Sequence, residues 1–136
     1  MNYLLDVNLL VAWGWMDHTE HQRSAKWIGA MKARRGVRLF TAPIPELGFV
    51  RVSVQRTAGR LPVAEAAATL AGMLGYLGKC HRFLPDDLPA TGAWPAWCAS
   101  AARTTDAHLL GLAERNGCVL ATLDENIPGA YVVPVH

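Results

Sequence analysis

MNYLLDVNLL, residues 1–10, decides how the rest of the chain is read. Tyr3, Leu4 and Leu5 are apolar and strand-compatible, and they run straight into Asp6; Leu9, Leu10 and Val11 resume the apolar character beyond Asn8. A carboxylate set this tightly among apolar residues is costly to bury unless something compensates it. An aspartate capping a helix that begins at Val7 or Asn8 meets that condition. So does a carboxylate at the end of a buried first strand, facing a ligand. The choice rests on whether other acids occupy the same kind of place.

Composition sets the frame. At 136 residues, 51% hydrophobic and 18% charged, the chain suits one globular domain with a core of its own. A formal charge of +2 neither demands nor excludes a nucleic-acid partner. Cys80, Cys98 and Cys118 are scattered and form no CxxC pair, which argues against a disulfide framework or a zinc knuckle. No run approaches the roughly 20 apolar residues that span a bilayer, and no basic segment opens a signal peptide. A cytoplasmic protein is expected.

Beyond Val7–Trp15, a short helix or turn, Thr19 and Gln22 have capping-box spacing for a helix reaching about Arg35, with Ala25, Ile28 and Met31 as its apolar stripe. His18 and His21 lack a third ligand nearby and suit a solvated helix start. VRLFTA (37–42) is a strand, and Pro43 and Pro45 bracket a turn into the next helix. That helix carries Glu46 in its first turn, Leu47, Val50 and Val54 on one face, and Arg51 and Gln55 on another. Pro62 opens an alanine-rich helix to about Gly78, with Leu70, Met73, Leu74 and Leu77 as its stripe. Gly78-Lys79 fails as a phosphate loop, because Met73 stands where the upstream glycine is required and Cys80 where a Ser or Thr is. His81–Leu84 is a third strand, and Trp94–Ala102 is expected to be a short irregular helix. Trp94 and Trp97 suit a base stack or, more commonly, packing. Thr104-Thr105-Asp106 begins a helix with a threonine cap and an acid at its start. Cys118–Thr122 is a near-continuous apolar strand, with Asp124 just past its end, and Tyr131–Val135 a last short strand.

Strands alternating with helices predict a parallel sheet covered on both faces. Ligands of such sheets bind outside the carboxyl ends of the strands, where Asp6, Glu46, Asp106 and Asp124 are all expected. Each has a capping explanation alone. Together they would repel one another strongly, and a divalent cation is the simplest compensation. Oxygen ligands without paired Cys or His favour Mg²⁺ or Mn²⁺ over zinc. The chemistry expected is metal-assisted hydrolysis of a nucleic-acid backbone.

The ordered segments LLDVNLLVAW, PELGFVRV, TTDAHLLGLAERNG and VLATLDENI make the chain resemble a PIN-domain ribonuclease of the VapC toxin type, from bacterial toxin–antitoxin modules. The resemblance implies a three-layer α/β/α fold with a short, mostly parallel sheet, an acidic pocket for Mg²⁺ or Mn²⁺, and RNA cleavage. It also implies a homodimer and a small antitoxin partner. Residue by residue, Asp6, Glu46 and Asp106 match the family's core acids and Asp124 a more variable fourth, which Glu125 could assist. Asn8 and Thr122 match polar residues that orient the site or its water, although Asn8 equally suits a helix cap. Arg51 and Arg103 are candidate phosphate contacts. His108, two residues past Asp106 on a helix, is turned away from it and is read as structural.

Rival chemistries fit less well. A haloacid-dehalogenase-like phosphatase needs an acid where Asn8 stands, and a receiver domain needs acids where Tyr3, Leu4 and Leu5 stand. Dinucleotide folds need glycines where Val7-Asn8-Leu9 stand. The alternative from another class is a PIN-like module that binds RNA or protein without cutting.

Overall fold

The computed structural model describes residues 1–135. Its strands are β1 (Asn2–Leu5), β2 (Arg38–Thr41), β3 (His81–Phe83), β4 (Val119–Thr122) and β5 (Tyr131–Val132). They form one sheet of order β3-β2-β1-β4-β5, and every neighbouring pair is parallel. The helices are α1 (Val7–Gly14), α2 (His21–Ala33), α3 (Pro43–Arg56), α4 (Val63–Leu77) and α5 (Thr104–Arg115).

Alternation along β1 sets the layers, because successive strand side chains leave opposite faces of a sheet. Tyr3 and Leu5 enter a core with Leu9, Ile28, Leu39, Phe49 and Leu70, contributed by β2 and the first four helices. Leu4 enters a second core with Leu109, Leu112 and Leu120, from α5 and β4. Helices α1 to α4 therefore belong with one face and α5 with the other. The expected α/β/α sandwich is borne out, with a sheet that is parallel throughout the described residues. No helix there is long and apolar enough to cross a membrane.

The strand order places the site. From β1 the chain moves outward through β2 to β3, then returns by α5 to β4 on the other side of β1. The sheet thus reverses direction between β1 and β4, and crevices at such switch points are where open parallel sheets bind ligands. In register, Leu5 pairs with Ala121, so Asp6 and Thr122 emerge side by side.

Several local expectations give way. The Thr19 capping box does not form: Glu20 is the cap residue of α2, and its N–H donates to His18 Nδ1 at 3.0 Å. Threonine does not cap α5 either; Arg103 precedes it, and the Thr104 hydroxyl donates backwards to the Ala101 carbonyl at 2.8 Å. Trp94–Ala102 is not a helix beyond a single 3₁₀ turn at Ala101–Arg103. Pro95 lies inside the expected span, where a proline breaks the helical ladder. The buried face of α3 is Pro45, Gly48, Phe49 and Ser53, while Leu47 is exposed. That face was hidden from a hydrophobicity pattern because glycine and serine carry no apolar signal.

Gly48 explains the turn of α3. A Cβ there would lie 2.7 Å from Val7 Cγ2 and 2.9 Å from Cγ1, so α1 and α3 meet at a position with no room for a side chain. Gly48→Ala is expected to lower unfolding free energy by about 1–3 kcal/mol through overpacking, read as a lower urea midpoint at unchanged slope. An unchanged midpoint would mean that the two helices separate without cost.

Candidate active site

Asp6 follows the last residue of β1 and caps α1. Its Oδ1 accepts the Val7 N–H at 2.7 Å, and its Oδ2 accepts the Thr122 hydroxyl at 2.7 Å. The helix-cap and strand-end readings thus describe one residue. Only 4% of Asp6 is exposed, so this carboxylate is held by hydrogen bonds while deprived of most of its water.

Thr122, fully buried at the end of β4, ties the floor together. Besides donating to Asp6, its oxygen accepts from Asn8 Nδ2 and from the Asp124 N–H, both at 3.1 Å. Asn8 Oδ1 in turn accepts the Leu123 N–H at 3.1 Å. Asn8 therefore bridges the start of α1 to the chain leaving β4 rather than capping α1, a place that belongs to Asp6.

Asp106 reaches the same region from the first turn of α5. Burial pushes the Asp6 carboxyl above its ordinary range against its two hydrogen bonds, and the charges of Asp106 and Asp124 push the same way. Burial and Asp124 likewise raise Asp106, and the Arg103 guanidinium, 3.9 Å away, opposes them. The charge of Asp124 thus bears on both Asp6 and Asp106. A cleft of about 410 Å³ opens beside them, lined by Asp6, Asn8, His18, Arg51 and Asp106 among others.

Glu46 stands apart. Its Oε2 accepts the Thr41 hydroxyl at 2.7 Å, and Thr41 Oγ1 also meets His81 Nε2 at 2.7 Å, which fits an Nε2–H tautomer donating to Thr41. The Glu46 charge favours protonation of His81, although burial outweighs it and lowers the His81 pKa. Glu46 also lines a different, mostly apolar groove between α3 and α4.

Of the arginines, Arg51 lines the acid cleft, and Arg103 lies at Asp106 with its guanidinium 4.8 Å from the Trp97 ring centroid. Glu125 is exposed. His108 is paired through Nε2 to Asp86 Oδ2 at 2.6 Å, in keeping with a structural role. Sequence reasoning missed His18 as a cleft residue, together with the Thr41–His81 pair. His18 was read as solvated because its approach to Asp6 depends on how α2 follows α1, which no local pattern records.

The donor set fits a hard divalent cation, since oxygen atoms predominate and clustered carboxylates call for positive charge. Among the described residues, however, no three His, Cys, Asp or Glu side chains stand close enough together to hold one ion as they are.

The chain has relatives of known name. Ribonuclease VapC39 of Mycobacterium tuberculosis is 38% identical over 130 residues, covering 91% of this chain and 89% of the relative. Ribonuclease VapC38 from the same organism is 38% identical over 126 residues, covering 91% and 86%. Ribonuclease VapC29 is 31% identical over 127 residues, covering 93% and 89%. No family model matches the chain. The chain belongs to the VapC-type PIN ribonuclease family.

Thr122→Val keeps the shape of the floor and removes its hydroxyl. It should cost about 1–3 kcal/mol, the usual effect of stranding buried polar groups. It should also move the Asp6 titration, followed by carboxyl NMR, further upward, because a hydrogen bond to the charged form is lost. An Asp6 carboxyl that titrates as in the wild type would show that Thr122 does not hold it.

Proposed function

We propose that this chain is an endoribonuclease, the toxin of a toxin–antitoxin pair, hydrolysing RNA phosphodiester bonds with a Mg²⁺ or Mn²⁺ ion. The observation that carries this reading is the buried Asp6, oriented by two hydrogen bonds and facing the charges of Asp106 and Asp124 at the sheet's switch point. Membership of the VapC family gives the site its substrate class.

Asp6, Asp106 and Asp124 would hold the ion, with Glu46 as a fourth acid now engaged by Thr41. The cation would activate water and stabilise charge developing on the phosphodiester. The chain's own residues do the positioning. Thr122 and Asn8 fix the Asp6 carboxylate and the backbone at Asp124, so little reorganisation is left for the reaction. Arg51, on the cleft wall, supplies a cation for a substrate phosphate. Arg103 tempers the carboxylate cluster from its other side.

A small antitoxin is the proposed partner. The proposed assembly is a homodimer, supported by the small apolar side chains that α4 leaves exposed at Val63, Ala67 and Ala71. The second reading, a PIN-like module that does not cut, draws on the separation of the acids.

Purified protein should cut a structured RNA with Mn²⁺ or Mg²⁺ and stop with EDTA. Asp6→Asn should reduce cutting by at least about a hundredfold, in the range expected when a charge-stabilising group is lost. Glu46→Gln should cost less. A folded wild type that binds no divalent ion and cuts no RNA would establish the non-cutting module.

Protons and the cation compete for the same carboxylates. A carboxyl with a raised folded pKa costs nothing below its unfolded pKa; its penalty grows as pH rises and is complete above the folded value. The rise in Tm on adding Mn²⁺ should therefore be largest at neutral pH and shrink as pH falls through the raised Asp6 and Asp106 values. A shift that does not change with pH would mean that the ion binds elsewhere.

A further inference from the structure

A second cavity lies outside the acid cleft. It measures about 580 Å³ and sits between the outer side of α5 and the 88–97 segment laid across it. That volume falls within the usual range for a small-ligand site. Its walls include the Trp94 and Trp97 indoles, Leu88 and Gly111, with Glu114 and Arg115 bringing an acceptor and donors.

The cavity is built, not merely left over. The Asp86–His108 hydrogen bond of 2.6 Å clips the covering segment to α5, with the two side chains only 11% and 14% exposed. Asp86 Oδ1 also accepts the Leu88 N–H at 3.1 Å. Trp94 Nε1 donates to the Ala90 carbonyl at 3.0 Å, which fixes an indole that is 41% exposed. A tryptophan held in place with its ring in reach of solvent is a stacking surface, and every base has a face to offer it.

Arg103 stands between residues of this cavity and of the acid cleft, and its Nη2 donates to the Asn126 carbonyl. Its guanidinium lies over Trp97, and its Nε is 3.9 Å from Asp106 Oδ2. An aromatic wall with a cation near its end suits a nucleotide, whose base can stack while its phosphate meets the charge.

We propose that this cavity is a base-binding site, taking an unstacked nucleobase of the RNA against Trp94 while Arg103 meets the adjoining phosphate. The proposal rests on the ribonuclease reading for its ligand class. It assigns base preference to the 88–97 segment and leaves hydrolysis to the acids.

The test compares wild type, Trp94→Ala and Trp94→Phe on a randomised RNA, with circular dichroism melting as the folding control. Both variants lose the Trp94–Ala90 bond, so Tm should fall by a few degrees at most in each, with the fold retained. Trp94→Ala should still cut, with kcat/KM about tenfold lower and the preference at one base beside the cut lost, and Trp94→Phe should restore most of both. In EDTA, nucleoside monophosphates should quench wild-type fluorescence through Trp94 and leave that of Trp94→Ala unchanged. Cutting by Trp94→Ala at wild-type rate and preference, with quenching intact, overturns the base site and leaves the nuclease standing. Unchanged cutting with weaker inhibition by the antitoxin also overturns it, assigning the cavity to a protein. A wild type that cuts nothing but still binds nucleotides through Trp94 keeps the base site and removes the nuclease.

Discussion

The hydrogen bond from Thr122 to Asp6 is the contact on which the rest of the site depends. It crosses from β4 to β1 where the sheet reverses direction, and it holds a carboxylate that is almost wholly removed from water. Removing water from a carboxylate disfavours its charge, and two hydrogen bonds do not fully offset that loss, as the raised pKa shows. The fold thus carries an acid at its centre under electrostatic tension. Such tension marks functional sites more often than structural ones.

The same strand order divides the chemistry between neighbours. The charges of Asp106 and Asp124 bear on Asp6, whereas Glu46 is engaged by Thr41 at the end of β2. Helix α5 serves two roles along its length. Its first turn presents Asp106 to the acids, and its outer side forms a wall of the tryptophan-lined cavity. Whatever moves α5 along its axis moves both.

Much of this was legible in the sequence, for identifiable reasons. The apolar runs at Tyr3–Leu5 and Cys118–Thr122 point to the central strands, because buried parallel strands carry no polar alternation. The acids at strand ends and helix entrances gave the candidate site. The grouping of three acids apart from Glu46 was not legible, since it depends on side-chain direction at Thr41 and Glu46. Nor was the buried face of α3, where Gly48 matters by having no side chain. The 88–97 segment, read as partly helical, is shaped by Pro95 and by the distant Asp86–His108 bond, which no local periodicity contains.

Asp6 and Thr122 lie 116 residues apart in sequence. Closing so long a loop costs entropy that local contacts do not repay, and contacts of this range form late in folding. A growing chain that has not yet emerged as far as β4 therefore displays Asp6 without the hydroxyl that aims it, and the carboxylate gains its orientation only once β4 has joined the sheet.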